Sequence, residues 1–146
     1  MELKDHFPYP EVHNNLVGGY SVSYSTEDGS RAITNGIFIY EDDNIVSKAL
    51  DVIFINTYRE RIDTPPIGNE SWAISRETLS PFDLSMQYWT MVAWRTQKSV
   101  VYVSINDTSE IPIEETIRLA QLVQSRIEGI NNTQISGDPM TLNAFH

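Results

Sequence analysis

Histidine and carboxylate side chains crowd the start of the chain, at Asp5, His6, Glu11 and His13. These are the donor types of a zinc or other divalent-ion site. Their spacing fits no standard metal motif, and solvated terminal residues explain the same composition. A second run, Glu41-Asp42-Asp43-Asn44, offers oxygen ligands. It lacks the alternate acidic spacing, central glycine and distal glutamate of a calcium loop. Acidic residues that open a helix, facing its free N–H groups and dipole, account for it. Nucleophilic hydrolysis has no framework in the sequence. Gly68-Asn69-Glu70-Ser71 lacks the second glycine of a nucleophile elbow. The histidines, His6, His13 and His146, all lie towards the termini, so a Ser-His pair would need a terminus folded into a cleft. No phosphate-binding or dinucleotide loop is present. A carboxylate pair of glycosidase type stays open, because its spacing is set in three dimensions. The sequence therefore predicts no catalytic residue, no metal and no cofactor.

Aromatic residues carry more information. Trp72, Trp89 and Trp94 join Tyr20, Tyr24, Tyr88 and Tyr102. On a regular strand Trp89 and Trp94 point to opposite faces, because successive side chains alternate. Tyr88, Val92 and Trp94 form the expected core face. Gln87, Trp89, Met91 and Arg95 then lie on an open face, and are the predicted interaction residues. An exposed Trp-Met pair beside an arginine has the composition of an interface. Either a partner or the N-terminal arm, through Phe7 or Tyr9, covers it.

The bulk composition narrows the partners. The 146 residues carry a formal net charge of −10, with 40% apolar residues and no cysteine. Such a charge repels nucleic acid and anionic lipid. The missing cysteines remove thiolate metal sites, disulfides and cysteine nucleophiles. No apolar run approaches the roughly 18–20 residues that span a bilayer. Residues 1–15 lack the basic start and apolar middle of an export signal. The chain is then either cytoplasmic or a mature domain separated from its signal. Sequons at Asn69, Asn106 and Asn131 fall at loops or element ends, and about two would arise by chance in this composition.

The elements that must position these residues follow from periodicity. Tyr20, Val22 and Tyr24 alternate with Ser21, Ser23 and Ser25, the pattern of a half-buried strand. Glu27-Asp28-Gly29-Ser30 turns the chain into a second strand, 32–40. A helix is expected over about 42–61, although Val52-Ile53-Phe54-Ile55 also suits a strand. A short strand over 70–74 comes next. The strongest alternation, 84–95, turns at Thr96-Gln97-Lys98 into a partner strand, 99–105. Ile113, Ile117, Ala120, Val123, Ile127 and Ile130 then form one stripe of a helix that opens at Pro112 and ends near Gly129.

The second half of this pattern has a counterpart. Ile67-Gly68-Asn69-Glu70-Ser71 precedes a hairpin of Met91-Val92-Ala93-Trp94-Arg95 and Val100-Val101-Tyr102-Val103. A helix with Leu119-Ala120 and Ile127 closes it. The layout resembles small exported bacterial and archaeal domains of PsbP-like fold, including mycobacterial lipoproteins of the LpqN kind, over roughly residues 20–130. Asn69 stands where those domains often have Asp, and the Thr96-Gln97-Lys98 turn lacks their usual glycine. The resemblance carries no catalytic residues. It implies an extracytoplasmic binding or accessory domain.

The expected fold is α+β, with an antiparallel sheet of about five strands and two helices packed on one face, in the order β-β-α-β-β-β-α. It forms one domain over 1–146, with an N-terminal arm, 1–15, and a C-terminal tail, 131–146. The expected function is non-enzymatic binding of a partner protein or ligand outside the cytoplasm. The partner could equally be a second copy, held weakly through the open sheet face. Two alternatives stand beside it. One is a small-molecule-binding protein or enzyme with a pocket between sheet and helices. The other is a cytoplasmic accessory protein that docks on a partner.

Overall fold

The computed structural model describes residue 12, residues 14–55 and residues 61–136, with the side chains of 53–55 and 131–136 excepted. Strand β1 (Leu16–Ser25) and strand β2 (Arg31–Tyr40) form a hairpin. Helix α1 (Asp43–Ile55) follows, then strands β3 (Glu70–Leu79), β4 (Met86–Thr96) and β5 (Ser99–Asp107), and helix α2 (Ile113–Ser136). The strands form one sheet in the order β1-β2-β5-β4-β3, antiparallel throughout. The α+β class and the element order agree with expectation.

Local chemistry sets the boundaries. In the β1–β2 turn, Asp28 Oδ1 accepts hydrogen bonds from Thr26 Oγ1 (2.7 Å), Ser30 N (3.0 Å) and Ser30 Oγ (2.8 Å). Gly29 supplies the left-handed φ of +73° that this turn needs. At the start of α1, Asp42 Oδ1 accepts from Asn44 N at 2.9 Å, which satisfies a free helix donor. The 52–55 run is therefore helical. The last five residues of the predicted 42–61 helix before Arg61 lie outside the described residues. Strand β3 is longer than expected, and α2 runs past Gly129 to Ser136.

The helices do not share a face. Val46, Ala49 and Leu50 of α1 pack with Ile74, Met91, Ala93 and Val100. Ala120 of α2, with Ile117 and Val123, packs with Ala73, Val92, Trp94, Val101 and Val103. Adjacent strand residues point to opposite faces. Helix α1 therefore covers one face and α2 the other, giving three layers. The physical reason lies in the central strands. Met91-Val92-Ala93-Trp94 and Val100-Val101-Tyr102-Val103 are apolar without alternation, and such strands must be covered on both faces. Tyr102 also lies across Gly36, where an added Cβ would run into its ring, and stacks on Phe38 with centroids 5.9 Å apart.

Candidate functional site

The predicted interaction residues sit on the α1 face. Met91 is buried beneath the helix with Val46, Ala49 and Leu50, and Val12 closes the same cluster. Met91 therefore offers no surface to a partner, and the face is not open. Gln87, Trp89 and Arg95 are half-buried at its margin. The guanidinium carbon of Arg76 lies 4.5 Å from the Trp89 ring centroid, and Arg61 lies 4.8 Å from that of Trp72. These contacts shield both indole faces with cations. Arg95 Nε donates to Glu70 Oε2 at 3.1 Å, and Ser47 Oγ of α1 donates to the same oxygen at 2.8 Å. Burial pushes the Glu70 carboxyl up, but hydrogen bonds from Ser47, Arg95 and Trp72 outweigh it and hold it below the usual carboxylate range. Glu70 thus fastens α1 to β3 and β4. Phe7 and Tyr9, the arm residues expected to cover Trp89, lie outside the described residues.

The opposite face was expected to be core, and part of it is. Thr90, Val92 and Trp94 are buried under α2. The Thr90 and Thr116 hydroxyls bond at 2.6 Å, joining β4 to α2. At the far end of this helix's cover, Arg31 Nε donates to Asp107 Oδ2 at 2.6 Å and Arg31 Nη1 pairs with Glu115. The Ser109 backbone N–H and then Arg31 hold Asp107 below its ordinary value.

Helix α2 does not reach β1. Tyr20 is 71% exposed, Tyr24 66%, Val22 40% and the neighbouring Ile39 of β2 41%. Tyr20 is paired with Ile37 and Tyr24 with Ile33, so the aromatic row stands on the α2 face beyond the helix. On the other side of β1, the Ser23 and Thr34 hydroxyls bond at 2.8 Å. Strand β1 carries no charged residue and forms the edge of the sheet. Alternation located this strand as half-buried, with its aromatic residues on one side. An edge position, which no local pattern encodes, exposes it.

A second apolar feature is the β3–β4 turn. Phe82 is 96% exposed, with Leu79 and Leu84 also exposed beside it. The turn is well braced. Ser80 N donates to Ser85 O (2.7 Å), Leu84 N to Ser80 O (3.0 Å), and Ser85 N and Oγ to Asp83 Oδ1 (3.0 and 2.7 Å). Leu84 takes φ +60°, a left-handed conformation that L-residues avoid.

Small-molecule chemistry has less to work with. A shallow cleft of about 290 Å³ is lined by Ser75, Glu77, Tyr88, Thr90, Glu110 and Ile111, together with Arg76. That is at the lower bound of ligand pockets, roughly 300–1,000 Å³. Its buried hydroxyl, Thr90, is already bonded to Thr116. Among the described residues no group of three or more His, Asp or Glu is placed to hold a metal ion. The Asp5, His6, Glu11 and His13 group lies outside those described as a set. No helix among the described residues is long and apolar enough to cross a membrane. Compared with known proteins, the chain matches no protein-family profile and no curated protein.

Proposed function

We propose that this chain is a non-catalytic binding domain that recruits a partner protein through the exposed edge of its sheet, strand β1 with Ile39 of β2 beside it. One observation carries the reading: the exposed row Tyr20, Val22 and Tyr24 stands on an uncharged edge strand. Edge strands accept a further strand through backbone hydrogen bonds, while alternate side chains supply specificity. Tyrosines in such a row supply contact area at low entropic cost. The setting we propose is extracytoplasmic, supported by the resemblance to exported PsbP-like domains. Finding a signal or lipid-attachment sequence encoded upstream would support that setting. Its absence from the full reading frame favours a cytoplasmic accessory role.

The binding surface is tested with a Tyr20→Lys/Tyr24→Lys variant. Both side chains are mostly exposed, so its thermal unfolding should match the wild type. Affinity capture from the source cell should retain a partner on the wild type and lose it on the variant. Equal retention by both overturns the assignment.

A second contact point is the Phe82 turn, favoured by its nearly complete exposure and by the left-handed Leu84 beside it. Strained backbone held in place by a hydrogen-bonded turn is found where a side chain must be presented. Loss of the captured partner on Phe82→Ser alone assigns the contact to this turn.

A further inference from the structure

We infer that the strand received by β1 is β1 of a second copy of this chain, paired antiparallel about a two-fold axis through Val22. The inference rests on the reading above in using the same edge. Residues 20–24, Tyr20-Ser21-Val22-Ser23-Tyr24, read the same in both directions. In an antiparallel pair, a two-fold axis through Val22 sets Val22 opposite Val22, Tyr20 opposite Tyr24 and Ser21 opposite Ser23. Rings meet rings, methyls meet methyls and hydroxyls meet hydroxyls, the pairings that stabilise neighbouring strands. A slip of one residue sets tyrosine against serine and loses every match. Tyr20, Val22 and Tyr24 already share one face, so no rearrangement of the strand is needed.

Electrostatics select the same edge. Two copies, each of net charge −10, repel wherever their charges approach. From Val12 to Thr26 the chain has no Asp, Glu, Lys or Arg. The other edge strand, β3, carries Glu70, Arg76 and Glu77, and Ile62 bridges to Ala73 along it. Charges and covering segments are how proteins protect edges from pairing, and β1 has neither charge nor proline. A two-fold pair joins the uncharged edges and leaves the charged ones outside, so assembly closes at two copies. The result is a continuous ten-stranded sheet, five strands from each copy. Both α2 helices lie on one of its faces, walling a trough floored by Tyr20 and Tyr24 of each copy.

Pairing of one strand per copy buries less than the roughly 1,200–2,000 Å² of standard interfaces, so the dimer is reversible. Sedimentation equilibrium from about 1 µM to about 1 mM reads it directly. The chain has no cysteine, so single-cysteine variants cross-link without background. Val22→Cys faces its own copy across the axis, within disulfide reach. Tyr20→Cys is four residues out of register with its own copy, about 13 Å along the strand, and cannot reach it. A covalent dimer at least ten-fold more abundant for Val22→Cys than for Tyr20→Cys is expected. Mixed Tyr20→Cys and Tyr24→Cys chains should also cross-link. Val22→Lys should abolish the dimer while keeping the monomer folded, with an unfolding temperature equal to that of the wild type at about 1 µM, the dilute end of the range. A monomer over the whole range, equal cross-linking by the two cysteine variants, or a dimer indifferent to Val22→Lys overturns the pairing. A monomer whose captured partner is still lost on Tyr20→Lys/Tyr24→Lys overturns the self-pairing alone and leaves the binding surface standing.

Discussion

Trp94 Nε1 donates a 2.8 Å hydrogen bond to Gln124 Oε1, and both side chains are buried where β4 meets α2. Gln124 in turn donates to Glu128 Oε1 at 3.1 Å and to Thr96 Oγ1 at 3.4 Å. Gln124 joins the Thr90–Thr116 pair as a polar contact in this mainly apolar layer because the indole N–H needs an acceptor there. Gln124→Leu removes that acceptor and strands a buried donor, at a cost of about 1–3 kcal/mol. Trp94→Phe/Gln124→Leu removes donor and acceptor together. Its loss in urea unfolding should fall short of the sum of the single losses by at least 0.5 kcal/mol, roughly the lower limit for coupled neighbours. Strict additivity would show that the bond does not contribute.

The β4–β5 hairpin closes through Gln97 and Lys98, between the paired Thr96 and Ser99. Gln97 adopts φ +51°, where a side chain is strained and glycine is not. The expected glycine is missing from the sequence, but its conformation is present. Gln97→Gly should therefore raise stability, by up to about 1 kcal/mol after the entropy of glycine is set against the relieved strain. A lower unfolding midpoint for Gln97→Gly would show that the Gln97 side chain makes a compensating contact.

Several carboxyls are tuned to stay ionised. The Ser30 backbone N–H, with the Thr26 and Ser30 hydroxyls, lowers Asp28 to about 2. Asp107 is lowered by the Ser109 backbone N–H and Arg31, Asp83 chiefly by Ser85, and Glu70 by the bonds described above. Each binds its proton less readily folded than unfolded. The unfolded chain therefore takes up more protons in acid, and stability rises with pH. The stabilisation is complete above the ordinary values of 3.8 for Asp and 4.5 for Glu, and is lost as pH falls towards about 2. Calorimetry should show a level Tm above about pH 5 and a steep fall below about pH 4.5. Asp107→Asn should shallow that fall. An unchanged Tm down to about pH 2 would refute the assignment.

Trp89 packs partly against the α1-side cluster, with Arg76 stacked above it. Its removal acts first on folding. Trp89→Ala should cost about 1–3 kcal/mol, less than the roughly 3–5 kcal/mol of a fully buried tryptophan. Arg76→Ala should cost about 0.5–1 kcal/mol, the scale of an exposed cation–π contact. If Trp89→Ala leaves unfolding unchanged but lowers partner binding, Trp89 belongs to the interface as the sequence suggested.

The element order was legible in the sequence because each element is written in local periodicity. The stripe Ile113, Ile117, Ala120, Val123, Ile127 and Ile130 identified α2, and all of it but Ile130 belongs to the cluster that packs on the sheet. Asp42, Asp28 and Gly29 marked where a helix starts and a hairpin turns, because caps and turns depend on neighbouring residues alone. The two-sided cover was also written there, in the unbroken apolar runs of β4 and β5, although alternation in the longer window masked it. The site was not legible. A helix is about 10 Å across and strands lie about 4.8 Å apart, so one helix covers roughly two strands of a face. Among the described residues each face carries one helix, too narrow for five strands, and β1 is left exposed. Periodicity says that Tyr20, Val22 and Tyr24 share a side and that Gln87, Trp89, Met91 and Arg95 share another. Only the strand order, fixed by long-range pairing, put β1 at the edge and Met91 beneath α1.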